Sequence, residues 1–196
     1  MQTFILTHWL DILTTLLGLA YILLEYKASI WLWAVGFAMQ ALGIALYYSK
    51  GLYADCCMEV YYICMTIYGF ITWKFTKVGK VRQTELPVTH FKRSLILPWT
   101  LGTLALWAGI WWLLDTYTNS NVPITDSFTT ALSFAGIWAL ARKYLEQWLI
   151  WIVVDVTTCI LYFYKDIPFK ASLYALYVII AIFGYRKWSR MMHKKA

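Results

Sequence analysis

The sequence predicts an all-α integral membrane protein with seven transmembrane helices, arranged as two parallel triple-helix bundles joined by a linker helix. Three observations carry this. Of 196 residues, 61% are hydrophobic and 14% are charged, against about 45–50% and about 25% in an ordinary soluble domain. Seven stretches of roughly 20 apolar residues follow one another, each long enough to cross a hydrocarbon core of about 30 Å. The chain also repeats itself, without gaps, at an offset of 115 residues. The composition excludes a cytosolic enzyme, a secreted disulfide scaffold and a nucleic-acid-binding domain, because so few charges cannot cover so much apolar surface in water.

The spans fall at 5–24, 31–49, 53–73, 95–116, 124–142, 145–164 and 170–188. Each is too long for a barrel strand of about 9–11 residues, and a helix satisfies its own backbone hydrogen bonds in lipid. The first opens with MQTFILTHWLD, which lacks the basic residues and cleavage site of a secretory leader, so it is read as a retained helix. The second, WLWAVGFAMQALGIALYYS, is uninterrupted. The third follows KGLYAD, where Asp55 is placed to cap the helix, and ends in YGFITW before Lys74. Residues 74–94 are the longest polar connection and are expected to be a cytoplasmic linker. The fourth span, 95–116, joins the bundles. The loop DTYTNSNVPITD (115–126) leads to the fifth span, which ends at Arg142 and Lys143. The sixth contains QWLIWIVVD, and a short connection bearing Lys165 and Lys170 leads to the seventh. Residues 1–73 are thus the first triple-helix bundle, 124–188 the second, and 189–196 a basic tail.

The net charge of +7 sorts by membrane side. With the N-terminus outside, fourteen of the 17 Lys and Arg residues fall in inside segments, chiefly 74–93 and the C-terminal end. Only Lys50, Lys165 and Lys170 fall outside. Basic segments stay on the cytoplasmic side, so the C-terminus is expected inside and the number of spans is odd.

Under the 115-residue offset, Trp33 falls on Trp148, Tyr47 on Tyr162, Lys50 on Lys165, Tyr62 on Tyr177, Gly69 on Gly184 and Trp73 on Trp188. The clearest piece sets YGFITW (68–73) over FGYRKW (183–188). Three spans reverse the chain's direction, so a copy joined directly would be inverted; a fourth helix restores it. Parallel repeats of this kind build some secondary transporters, with substrate near mid-membrane between the halves.

Ionisable residues inside spans are costly and mark functional sites by default. They are Asp11, Asp55, Glu59 and Asp155, while Glu25, Asp115 and Asp126 lie near span ends and are expected to face water. Trp148, Trp151 and Asp155 stand at i, i+3 and i+7, on one helical face. Two indole faces and a carboxylate suit an organic cation, the rings through their quadrupole and the carboxylate through its charge. The alternative for the indoles is an interfacial belt. The third span carries Glu59 and Tyr62 on one face. Gln40 falls on Asp155 under the offset, and Trp33 on Trp148, so each bundle offers a polar group and an indole at matching positions. The candidate binding residues are therefore Trp148, Trp151, Asp155, Glu59, Tyr62, Gln40 and Trp33. His8, His90 and His193 lie outside the span centres, and no HExxH or Ser/His pair suggests an enzyme. Cys56, Cys57, Cys64 and Cys159 lack metal-ligand spacing. No phosphate-binding glycine motif occurs, and no cofactor or metal is expected.

LYAD (52–55), YGFITW and the WxxW of QWLIWIVVD together resemble the Pnu family of bacterial vitamin transporters over nearly the whole chain. The resemblance implies a three-plus-one-plus-three fold, a doubled version of the SWEET-like triple-helix bundle. It also implies a homotrimer in the inner membrane. Transport would be facilitated diffusion of a cationic vitamin precursor, nicotinamide riboside or thiamine, trapped inside by a kinase. Substrate would bind partly on the WxxW helix. Two positions depart from the family pattern: Asp155 and Glu59 stand where an amide is usual. Both substrates are fixed cations, and a carboxylate can also accept a hydrogen bond from the amino group of thiamine's pyrimidine. A sugar facilitator of the related bundle type and a non-transporting membrane sensor or assembly protein remain alternatives.

Overall fold

The structure is a computed structural model that describes residues 13, 16–49, 51, 53–76, 86–118 and 121–193. Its helices are α1 (Leu16–Tyr26), α2 (Trp31–Ser49), α3 (Tyr53–Phe75), α4 (Arg93–Tyr117), α5 (Pro123–Ala141), α6 (Gln147–Tyr164) and α7 (Pro168–His193). With seven helices and no strand among the described residues, the chain is an all-α integral membrane protein. At 1.5 Å per residue, the 25 residues of α4 reach about 38 Å, enough to cross the hydrocarbon core. The chain divides into two compact units, Met1–Leu86 and Pro87–Ala196.

In the first unit α2 packs on α3. The seam is closed by Trp33, whose ring lies where a side chain on Gly69 would stand: a Cβ there would meet the indole at 2.3 Å. Trp33 also meets Trp73 edge-on, with centroids 5.4 Å apart. In the second unit α6 packs on both α5 and α7, and α4 packs on α5. Here Trp148 lies over Gly184, where a Cβ would meet its ring at 2.6 Å, and meets Trp188 edge-on at 5.6 Å. All four indoles are 1% exposed or less. Each position in the second unit is 115 residues after its counterpart. The backbone turns repeat too: left-handed φ angles occur at Ala28 and Lys143, and at Gly51 and Asp166.

Other contacts keep their positions but exchange their side chains between helices. Gly36 of α2 faces Tyr21 of α1; at the corresponding places Trp151 of α6 faces Gly136 of α5. The Cys56 thiol of α3 points to the Ile44 carbonyl of α2, whereas in the second unit the thiol is Cys159 on α6 and the carbonyl is Ala171 on α7. A helix contact needs a given total volume, which either side can supply.

Two segments outside the spans are themselves structured. The helix of the seventh span runs on through His193, so the expected basic tail is helical to that point. Lys and Arg are good helix formers, and cations in the last turn complement the helix dipole. The end of the expected linker is also bound into the second unit. Thr89 donates its N–H to Lys143 O and accepts from Leu145 N, Val88 is buried, and Phe91 packs on Trp99, Trp138 and Tyr144. Glu146 completes the clasp, accepting the Phe91 N–H at 2.8 Å and pairing with His90 at 2.7 Å.

Candidate functional site

Asp155 sits in the middle of α6 and is buried, 7% exposed. Among the described residues none hydrogen-bonds to its carboxylate. Its surroundings on α7 are Tyr174 and Tyr177, both close enough to feel its charge. The tyrosines continue outward: Tyr177 meets Tyr174 edge-on at 5.7 Å, Tyr174 stacks on Tyr162 at 5.4 Å and 30°, and Lys170 Nζ lies 5.3 Å from the centre of the Tyr162 ring. A carboxylate removed from water is costly unless it is paired or neutralised. Beside tyrosines and without a hydrogen-bond partner among the described residues, the carboxyl group can hold its charge when an organic cation lies next to it.

Trp151 lies one turn before Asp155, at i and i+4, where helix side chains are neighbours. Its ring edge rests on Gly136, where a Cβ would stand 3.4 Å from it, and its buried indole N–H has no partner. Trp148 is held differently. Its ring is enclosed by Gly184 and Trp188, so the indole serves the α6–α7 seam. Beside it, Gln147 is fully buried, with neither amide atom hydrogen-bonded.

The first unit gathers a second set. Gln40 Oε1 accepts from Thr66 Oγ1 at 3.4 Å across the α2–α3 seam. The Glu59 carboxyl lies on Gly43, within 2.9 Å of where a Cβ would be. Tyr62 packs edge-on against Tyr61 at 5.7 Å, and Tyr62 and Glu25 both act electrostatically on Tyr21. Trp33, like Trp148, is spent on packing against Gly69 and Trp73. Asp11 and the Asp55 side chain lie outside the described residues.

Glu25 corrects an expectation. The sequence places it near a span end, facing water, but it is 5% exposed, and the chain turns directly after it, with Ala28 N donating to its carbonyl at 2.8 Å. Asp115 is exposed, as expected. Asp126 is partly exposed and reaches Lys165 at 3.8 Å. Sequence reasoning did not single out Tyr174, which lies 115 residues after Glu59. The offset joins a phenol to a carboxylate there, and only shared polarity could have revealed the match. Among the described residues no group of His, Cys, Asp and Glu could hold a metal ion.

Apolar helices long enough to cross a membrane, with buried polar groups inside each unit, define a multi-pass membrane protein. Residues 8–190 match the sequence profile of the nicotinamide mononucleotide transporter family, and the chain belongs to that family. Its members are transporters and not enzymes. The nicotinamide riboside transporter PnuC of Escherichia coli is 23% identical, over 92% of this chain and 84% of its own length. The riboflavin/roseoflavin transporter RibM of Streptomyces davaonensis is 24% identical, over the same shares. The crystal structure of the vitamin B3 transporter PnuC shares the fold, with a TM-score of 0.73, 21% identity and coverage of 99% of this chain and 86% of that one.

Proposed function

We propose that this vitamin transporter carries a cationic vitamin precursor, nicotinamide riboside or thiamine, by facilitated diffusion with alternating access, and that phosphorylation traps the product inside the cell. The observation that carries the reading is the buried Asp155 carboxylate, set among Tyr174 and Tyr177 and one turn from Trp151. A fixed positive charge offsets the cost of that burial, and Trp151 supplies a ring face. Asp155 and Trp151 are the proposed binding groups of the second unit, with Trp148 setting the position of α6. Gln40, Glu59 and Tyr62 are those of the first unit, with Trp33 in the corresponding packing role.

The proposed setting is the bacterial inner membrane, as a homotrimer with the C-terminus in the cytoplasm. The unequal distribution of Lys and Arg supports that orientation. Purified protein in liposomes should equilibrate labelled nicotinamide riboside or thiamine without ATP or an ion gradient. Uptake of neither compound defeats the reading.

The likeness to a riboflavin/roseoflavin transporter favours a second reading, a neutral flavin cargo. Riboflavin has no charge to set against Asp155. On this reading Asp155→Asn leaves riboflavin uptake unchanged, while nicotinamide riboside and thiamine are not taken up.

A further inference from the structure

The tyrosines beyond Asp155 do more than fill space. Tyr177, Tyr174 and Tyr162 form a run of ring contacts along the α6–α7 seam, ending near the turn that joins the two helices, and Tyr177 and Tyr174 lie near Asp155. The run ends under a cation. Lys170 Nζ stands 5.3 Å from the centre of the Tyr162 ring, and among the described residues no carboxylate pairs with it. The nearby Lys165 is held differently, by Asp126 at 3.8 Å.

Position makes the hold on Lys170 weak. The residue lies in the first turn of α7, a turn that contains no acidic residue. A helix start carries partial positive charge and disfavours a cation. The side chain is exposed, with a flexible four-carbon stem that can swing its ammonium into water. A ring face holding a loosely tethered ammonium can equally hold a cation that arrives from solution.

We infer that the Tyr162–Tyr174 stack is a cation subsite, occupied by the ammonium of Lys170, for which a cationic heteroaromatic or quaternary ammonium ligand competes on its way to Asp155. This rests on the cationic-vitamin reading above. Lys170 is then a built-in competitor that sets how readily a cation enters the run.

The test compares three variants in liposomes, with labelled nicotinamide riboside and labelled thiamine as probes. Lys170→Met keeps an apolar stem and removes the charge; it should lower the KM of the transported probe about two- to fivefold, the range of one exposed cation–ring contact. Tyr162→Leu should raise the KM, and in its background Lys170→Met should have no further effect, as expected for two residues acting through one contact. Lys165→Met removes the same charge nearby without touching the ring and should leave the KM unchanged. An unchanged or raised KM in Lys170→Met overturns the subsite while leaving the transport reading intact. So does an equal fall in Lys165→Met, which would show a general surface-charge effect. If the unaltered protein takes up neither probe, the transport reading fails and the subsite falls with it.

Discussion

Two tryptophans on one turn of α6 illustrate how a side chain's use depends on what stands opposite it. Trp148 faces a glycine and a second indole and is closed in, 1% exposed. Trp151 also rests on a glycine but stays partly open, one turn from Asp155. Trp148→Ala should therefore act mainly on stability, by about 3–5 kcal/mol as for other buried large-to-small changes, read as a lower melting temperature in detergent. Trp151→Ala should act mainly on affinity, by about 0.5–2 kcal/mol, read by titration with nicotinamide riboside or thiamine. An unaltered affinity would remove Trp151 from the site. Asp155→Asn keeps the shape and removes the charge. It should weaken binding of either cation by about 1.5–3 kcal/mol, the worth of a charge-assisted contact, or roughly 10- to 150-fold, while the fold survives because a buried carboxylate has been neutralised.

At the scale of helices, the glycines rank by what stands opposite them. A Cβ at Gly69 or Gly184 would enter an indole ring, at 2.3 and 2.6 Å; at Gly136 the nearest atoms stand at 3.3–3.4 Å; at Gly102 and Gly109 of α4 nothing lies within 4 Å. Replacement by alanine should follow that order. Gly69→Ala and Gly184→Ala should destabilise by about 1–3 kcal/mol through overpacking. Gly136→Ala should cost less. Gly102→Ala and Gly109→Ala should be neutral or stabilising, since alanine is the better helix former. Thermal unfolding of the five variants in one detergent checks the order. The clasp before α4 yields a separate expectation. Glu146→Ala removes the partner of both the Phe91 N–H and His90, so hydrogen exchange across residues 86–92 should quicken while the centre of α6 keeps its protection.

For the whole molecule, the expectations concern placement in the membrane and assembly. The side on which Lys and Arg accumulate predicts that a fluorescent protein fused after Ala196 will fold and emit, and that an alkaline phosphatase fused there will be inactive. The opposite pair of results would invert the orientation. Helix α4 packs on α5 yet buries none of its own residues, which leaves most of its 25-residue surface for lipid or for another copy. Light scattering of the detergent-solubilised protein should return about three times the mass of one chain, with monomers counting against the trimer.

Read alone, the sequence is enough for the class of protein and the order of its helices, because both follow from a quantity that adds along the chain, apolar length against bilayer thickness. It also exposed the repeat wherever the same residue recurs, as at Trp33 and Trp148, Gly69 and Gly184, and Trp73 and Trp188. The packed structure was needed to tell which indole packs and which stays open, that Glu25 is buried, and that Tyr174 neighbours Asp155. It alone revealed the exchanged contacts, Tyr21 on Gly36 against Trp151 on Gly136. The reason is physical: packing fixes the combined volume and polarity of two facing side chains, not the helix that contributes each, so identities compared along one chain miss partners that have traded sides.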